Sequence, residues 1–338
     1  MSKEIEDPRE TSHHPRKRLV LAGHAEAEQM VLRRIQAERL HHAWLLAGPR
    51  GIGKATFAYR VARFLLDCPE PDMARTRADL SVTAESHAAH WMSSGSHPSL
   101  HVVERVFDPK NGRLKGEIGV DDARKISGFF SRTAGDGGWR VAIIDAADDL
   151  NGESANALLK ILEEPPRRSL FLLISNHPGR LLPTIRSRCL RLDLKPLDIA
   201  QTCAVLADVL PDAENPEKLA RLSNGSPGLA MTLATSDGAR LFESFAERMA
   251  RTGTLDAATR IGLADEFQAR TMADDFDIFC DLLLAWIAER ARAENSVHFA
   301  RIHAEIGHSI REANALNLDR RQTILAALRL IGDSSSAA

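Results

Sequence analysis

The sequence predicts an α/β domain with a parallel sheet, followed by a small helical domain and an all-helical C-terminal domain. Short apolar runs alternate with helical patterns as far as about residue 195, which is typical of a parallel sheet covered by helices. A glycine loop at residues 48–54 separates the first apolar run from a helical stretch. From residue 241 onward strand patterns disappear, and apolar residues recur at helical spacing.

The elements of the first domain follow one another in a regular order. The predicted strands are residues 43–47, 100–103, 140–145, 170–175 and 189–194. The predicted helices are residues 25–40, 55–66, 120–132 and 154–163. Residues 67–99 include Pro69, Pro71 and a stretch rich in Ser and His, so we expect an irregular insertion there.

The character of the sequence changes after Pro196. Short helical patterns cover residues 198–210, 216–222 and 229–234, and Asn224-Gly225-Ser226-Pro227-Gly228 predicts a turn before the third of them. The polar ends, residues 1–18 and 334–338, are expected to be loose. These boundaries divide the 338 residues into a disordered tail, an α/β domain, a small helical lid domain and a helical oligomerisation domain: residues 1–18, 19–195, 196–237 and 238–338.

Composition excludes several function classes. The 44 basic and 46 acidic side chains nearly cancel, so no field of the whole molecule attracts nucleic acid or an anionic membrane. No apolar run is long enough to span a bilayer. The four cysteines lack paired spacing, which favours reduced thiols and a cytoplasmic location. Cys68 with His87, His90 and His97 matches no standard zinc spacing, so we expect no metal site.

The glycine loop has the spacing of a phosphate loop. Gly48, Gly51 and Gly53 would let backbone N–H groups surround phosphates, and Lys54 would reach the terminal phosphates. The next position calls for a Ser or Thr hydroxyl on Mg²⁺, but it is Ala55, and Thr56 comes one residue late. One residue turns a side chain by about 100° around a helix, so Thr56 is poorly placed to substitute. The loop is either a degenerate nucleotide loop, with ATP or ADP as a structural ligand at most, or a glycine-rich turn.

The predicted strand at residues 140–145 ends in a second degenerate motif. Asp145 stands where phosphate-loop enzymes place a carboxylate near Mg²⁺. The next residue is Ala146, so no adjacent glutamate can take a proton from an attacking water. Asp148 is expected to cap the following helix or to be solvated. We therefore expect this chain by itself to hydrolyse little or no ATP.

Four segments carry a family resemblance: HHAWLL at 41–46, GPRGIGK at 48–54, ANALLKILEEPP at 155–166 and TIRSRC at 184–189. Together they resemble the bacterial DNA polymerase III clamp loader subunits, which are AAA+ proteins. Residues 225–228 resemble the second sensor of the delta-prime type within that family, since the ATPase subunits have an arginine at the position of Gly228. The resemblance covers about residues 21–234.

The resemblance implies a structural role in a hetero-pentamer with gamma/tau-type ATPase subunits and a delta subunit, joined through a collar of C-terminal domains. Such a complex opens a sliding clamp and places it on primer-template DNA. The resemblance assigns Arg188, set between Ser187 and Cys189, to the ATP site of the neighbouring subunit. An arginine supplied in this way stabilises charge on the transferring phosphoryl group. The alternatives for Arg188 are an exposed surface arginine or an intramolecular salt bridge.

Two other functions remain open from the sequence. The first is an active AAA+ ATPase that works on DNA as a homo-oligomer, against which Ala55, Ala146 and Gly228 argue. The second is a nucleic-acid binding module without ATP involvement, which the balanced charge disfavours. As a clamp loader subunit, the chain would be a component of the DNA polymerase III holoenzyme without polymerase activity of its own.

Overall fold

The computed structural model describes residues 7, 9–110, 113–131, 138–267, 273–316 and 318–334. It divides into two compact units, residues 1–229 and 230–338. No helix among the described residues is long and apolar enough to cross a membrane.

A five-stranded parallel sheet forms the centre of the first unit. The strands of this unit are β1 Ala43–Ala47, β2 Leu100–Glu104, β3 Phe107–Asp108, β4 Arg113–Leu114, β5 Arg140–Asp145, β6 Ser169–Ser175 and β7 Leu190–Asp193. Of these, β3 and β4 form a separate antiparallel pair. The order across the sheet is β2-β5-β6-β1-β7. Pairing is in parallel register throughout, for example Trp44 opposite Leu172 and Leu190. The predicted parallel sheet is therefore confirmed.

Helices cover both faces of the sheet because its strands are apolar on both sides. The helices of this unit are α1 Ala25–Gln36, α2 Lys54–Asp67, α3 Pro71–Arg75, α4 His87–Ser93, α5 Val120–Ser131, α6 Gly152–Glu163, α7 Pro183–Arg186, α8 Ile199–Val209 and α9 Pro216–Leu222. Trp44 and Leu46 of β1 pack in one core with α1 and α2. Ala43 and Leu45 face the other core, with α5 and α6. Arg132, where the prediction ended α5, lies outside the described residues.

Two segments are more ordered than the sequence predicted. The insertion after α2 contains α3 and α4, and Ala74, Ala89 and Met92 join the core beside α2. Residues 9–18 are not a loose tail, because the buried Arg63 donates to the carbonyl oxygens of Arg16 and Arg18 at 2.7 and 3.0 Å. An arginine buried in α2 needs acceptors, and this segment provides them. Residues 1–6 and 8 lie outside the description.

The remaining helices follow α9. They are α10 Pro227–Thr235, α11 Asp237–Thr252, α12 Ala257–Asp265, α13 Ala273–Ala293, α14 Val297–Leu316 and α15 Arg320–Ser334. α10 already begins at Pro227, inside the predicted turn, and spans the boundary between the units. The second unit is helical over its described residues, as predicted. A cluster of aromatic side chains lies in its core: Phe242, Phe245, Phe267, Phe276 and Phe279.

Candidate functional site

The glycine loop connects the C-terminal end of β1 to the first turn of α2. Gly51 and Gly53 have φ angles of 79° and 98°, in the left-handed region that favours glycine. Gly53 is the N-cap of α2, and Lys54 is its first residue. The Gly48 N–H donates to the carbonyl oxygen of Ser175 at 3.3 Å, which ties the loop to the end of β6.

The Lys54 ammonium group is buried and has three protein acceptors. Only 4% of the residue is exposed. Nζ donates to the carbonyl oxygens of Gly48 at 2.7 Å and Pro49 at 2.5 Å, and to Oδ1 of Asn176 at 2.7 Å. Burial lowers the pKa of Lys54 to about 8, and the nearby charges of Asp145 and Asp148 oppose that shift. All three N–H groups of the ammonium are therefore committed within the protein.

The other predicted residues of this site also lie near the C-terminal ends of the parallel strands. Asp145 ends β5, and burial raises its pKa while the Lys54 charge opposes the rise. Thr56 lies half-buried in the first turn of α2, one residue beyond Ala55. The structure thus gathers the loop and Asp145, but places methyl groups at Ala55 and Ala146, where a metal ligand and a base would be needed.

Asp148 has a role that the sequence did not predict. It does not cap α6, since the α6 cap is Asn151, which accepts from the Ser154 N–H, and the Asp148 residue is partly buried. A 3-10 turn at Ala147–Asp149 directs the Asp148 carboxylate to the end of β6. There it accepts from the Ser175 hydroxyl at 2.6 Å and the Asn176 N–H at 2.5 Å. Asp148 therefore fixes the segment whose Asn176 side chain holds Lys54.

The first turn of α10 packs directly on the glycine loop. The Ser226 hydroxyl donates to the carbonyl oxygen of Arg50 at 2.9 Å, and the Gly228 N–H donates to that of Gly51 at 2.9 Å. A Cβ atom at Gly228 would lie 2.9 Å from the Gly51 Cα atom and 3.1 Å from its carbonyl oxygen. Only glycine at 228 allows this approach of the two backbones.

The residues present do not fit a magnesium nucleotide in this arrangement. A bound triphosphate needs the Lys54 ammonium group, but its three N–H groups already have acceptors. Ala55 offers no hydroxyl to Mg²⁺, and the backbone at Gly228 is hydrogen-bonded to the loop. Nucleotide would have to displace both sets of contacts.

Arg188 and the glycine loop lie at opposite ends of the parallel strands. It follows α7 and precedes β7, which runs parallel to β1, so Arg188 is beside the N-terminal ends of the strands. The glycine loop and Asp145 are at the C-terminal ends. A strand rises roughly 3.3 Å per residue, so the strand length puts the two sites on the order of 15 Å apart. Arg188 is therefore beyond reach of the glycine loop of its own chain.

The Arg188 guanidinium group is partly exposed and has three hydrogen-bond partners. Nη2 donates to Oε1 of Glu163, at the end of α6, at 2.6 Å, and Nη1 donates to the carbonyl oxygen of Thr184 at 2.9 Å and, at 3.5 Å, to the Ser187 hydroxyl. The exposed fraction of the Arg188 side chain is 33%. The intramolecular salt bridge considered from the sequence is thus present, and the remaining face of the guanidinium group is still open to solvent.

Cys68 and the histidines of the insertion make separate contacts. Cys68 is buried, and burial raises the pKa of its thiol. His87 and His97 instead make edge-on ring contacts with Trp91, with centroids 6.4 and 5.6 Å apart. Throughout the described part of the chain, no group of three or more His, Cys, Asp or Glu residues could hold a metal ion.

Sequence reasoning did not predict the contacts that three side chains make at these sites: Asp148, Ser226 and Glu163. Each acts on a residue distant in the sequence, so local patterns carry little information about them. The sequence evidence for a role of Asn176 is weak, because a polar residue at the end of a buried strand is common both near phosphate loops and in ordinary turns.

Comparison with known proteins identifies a matching family and similar sequences. Residues 23–198 match the family model described as "DNA polymerase III, delta subunit". DNA polymerase III subunits delta' from Pseudomonas aeruginosa and Escherichia coli are 41% and 32% identical over 57% and 64% of this chain. These matches span 55% and 61% of the two relatives' lengths. DNA polymerase III subunit tau of Escherichia coli is 29% identical over 70% of this chain and 34% of its own length.

Proposed function

Because the chain belongs to the delta-prime family of DNA polymerase III clamp loader subunits, we propose that it activates a neighbouring ATPase subunit without hydrolysing ATP itself. Arg188 is the residue that enters the neighbour's ATP site. The observation that carries the proposal is the position of Arg188, which is exposed at the sheet edge opposite its own glycine loop. An arginine so placed can complete a phosphate site only on another chain.

The partners in this proposal are gamma/tau-type ATPase subunits and a delta subunit in a hetero-pentamer. That assembly would load a sliding clamp onto primer-template DNA, so this chain meets clamp and DNA as part of the complex. Similarity to a tau subunit supports shared ancestry with the ATPase subunits. The net charge of −2 gives the isolated chain no general attraction for DNA.

Reconstitution tests the proposed function. The gamma/tau-type and delta subunits are assembled with and without this chain, and ATP hydrolysis is measured with clamp and primed DNA. We expect the chain to increase the stimulated rate strongly and to show no hydrolysis when it is alone. If the chain leaves the rate unchanged, the proposal is wrong. The active homo-oligomeric ATPase would instead show hydrolysis by the isolated chain, rising with chain concentration.

Nucleotide is not required for this role. The Lys54 contacts and the packing of Gly228 on Gly51 support a loop that is a structural joint between the sheet and the lid. We expect the isolated chain to bind MgATP no more tightly than a Kd of about 1 mM, because binding must break these contacts. Titration with a fluorescent ATP analogue measures this. Tighter binding that disappears in Lys54→Ala would instead make ATP or ADP a structural ligand.

A further inference from the structure

The Glu163 carboxylate lies beside the Arg188 guanidinium group at the N-terminal edge of the sheet. Their Oε1 and Nη2 atoms are 2.6 Å apart, and the exposed fractions of the two side chains are 50% and 33%. Thr184 holds the other terminal nitrogen through its carbonyl oxygen. Two nitrogens of Arg188 are thus held from different elements, α6 and α7, and Nε–H donates no hydrogen bond to the described residues.

The end of α6 that carries Glu163 is itself held firmly. His42, just before β1, contacts the carbonyl oxygen of Leu162 through Nε2 at 3.1 Å. A carbonyl oxygen can only accept, so Nε2 of His42 donates to it, and burial lowers the pKa of His42. The Leu162 side chain is buried in the core on the α6 face of the sheet. Glu163 therefore projects from a helix end fixed to both the sheet and the core.

We infer that Glu163 is a positioning residue for Arg188. A free arginine side chain occupies many rotamers, and holding it before a phosphate costs conformational freedom. Glu163 and Thr184 restrict the guanidinium group before the neighbouring subunit docks, and they leave Nε–H for a phosphate oxygen. The inference rests on the proposed function, since it matters only if Arg188 serves a neighbour's ATP site.

The test uses the reconstituted complex with clamp and primed DNA. We expect Glu163→Ala to lower kcat for ATP hydrolysis about three- to tenfold with little change in KM, because the loss is one of orientation. Glu163→Gln keeps a side-chain acceptor at this position, so its kcat should stay within about twofold of wild type. Glu164→Ala is the matched control, since it removes the same charge from the next exposed residue.

A double substitution separates this inference from the proposed function. Once Arg188 is replaced by alanine, a further Glu163→Ala change should have no additional effect on kcat. Equal losses that multiply in the double variant would overturn the positioning role, as would a Glu163→Ala complex with wild-type kcat. Increased hydrolysis in both Glu163 variants would also overturn it, because Glu163 would then restrain Arg188. If Arg188→Ala alone has no effect, the proposed function itself fails.

Discussion

Replacing Arg188 by alanine should abolish hydrolysis at one ATP site of the complex. A guanidinium group supplied by a neighbouring subunit is worth about 10³- to 10⁵-fold in rate. Arg188 is partly exposed and far from its own glycine loop, so the loss should occur at the adjacent subunit's site. In a single-turnover experiment with clamp and primed DNA, the rapid phase should lose the ATP bound at that site. The steady-state rate of clamp loading should fall with it.

Arg186→Ala is the matched control for this experiment. Arg186 is exposed at the end of α7 and carries the same charge two residues earlier. Its loss should leave hydrolysis near the wild-type rate. Size-exclusion chromatography should show that both variants assemble. The Arg188 contacts with Glu163 and Thr184 are exposed hydrogen bonds and are not part of a buried core. An unchanged rapid phase in the Arg188→Ala complex would refute its role in trans.

Gly228→Ala should destabilise the first unit substantially. The added methyl group would lie 2.9 Å from the Gly51 Cα atom, and both contacts are backbone, so neither side can yield by rotating a side chain. Overpacking of this kind typically costs about 1–3 kcal/mol. The expected result is a lower denaturant midpoint for unfolding of the isolated chain. The backbone N–H of position 228, which donates to Gly51 in the wild-type chain, should exchange its hydrogen faster in the variant.

Gly152→Ala provides the comparison for that measurement. Gly152 begins α6, and a Cβ atom there would meet nothing within 4 Å. The same change at an unobstructed helical position should leave stability equal or slightly increased. If Gly228→Ala and Gly152→Ala unfold at the same denaturant concentration, the lid does not pack on the glycine loop in solution.

Most of the fold was accessible from the sequence, since it depends on local patterns. The apolar runs ending at Ala47, Asp145 and Ser175 were found as strands because buried parallel strands are continuous hydrophobic segments. The insertion was harder to predict. Its helices α3 and α4 have only 5 and 7 residues, too few for a clear helical period, and they are stabilised by packing beside α2.

The degenerate loop was determined by the sequence alone, because Ala55 and Ala146 lack the required functional groups wherever the chain places them. The contacts around the loop were decided by tertiary structure. Asn176 accepts from Lys54, Asp148 accepts from the Asn176 N–H, and the Gly228 N–H donates to Gly51. The separation of Arg188 from that loop, and its pairing with Glu163, likewise depend on the parallel direction of the strands. The physical reason is that residue chemistry is local, whereas hydrogen bonds and charge pairs depend on distances that only the packed sheet and helices fix.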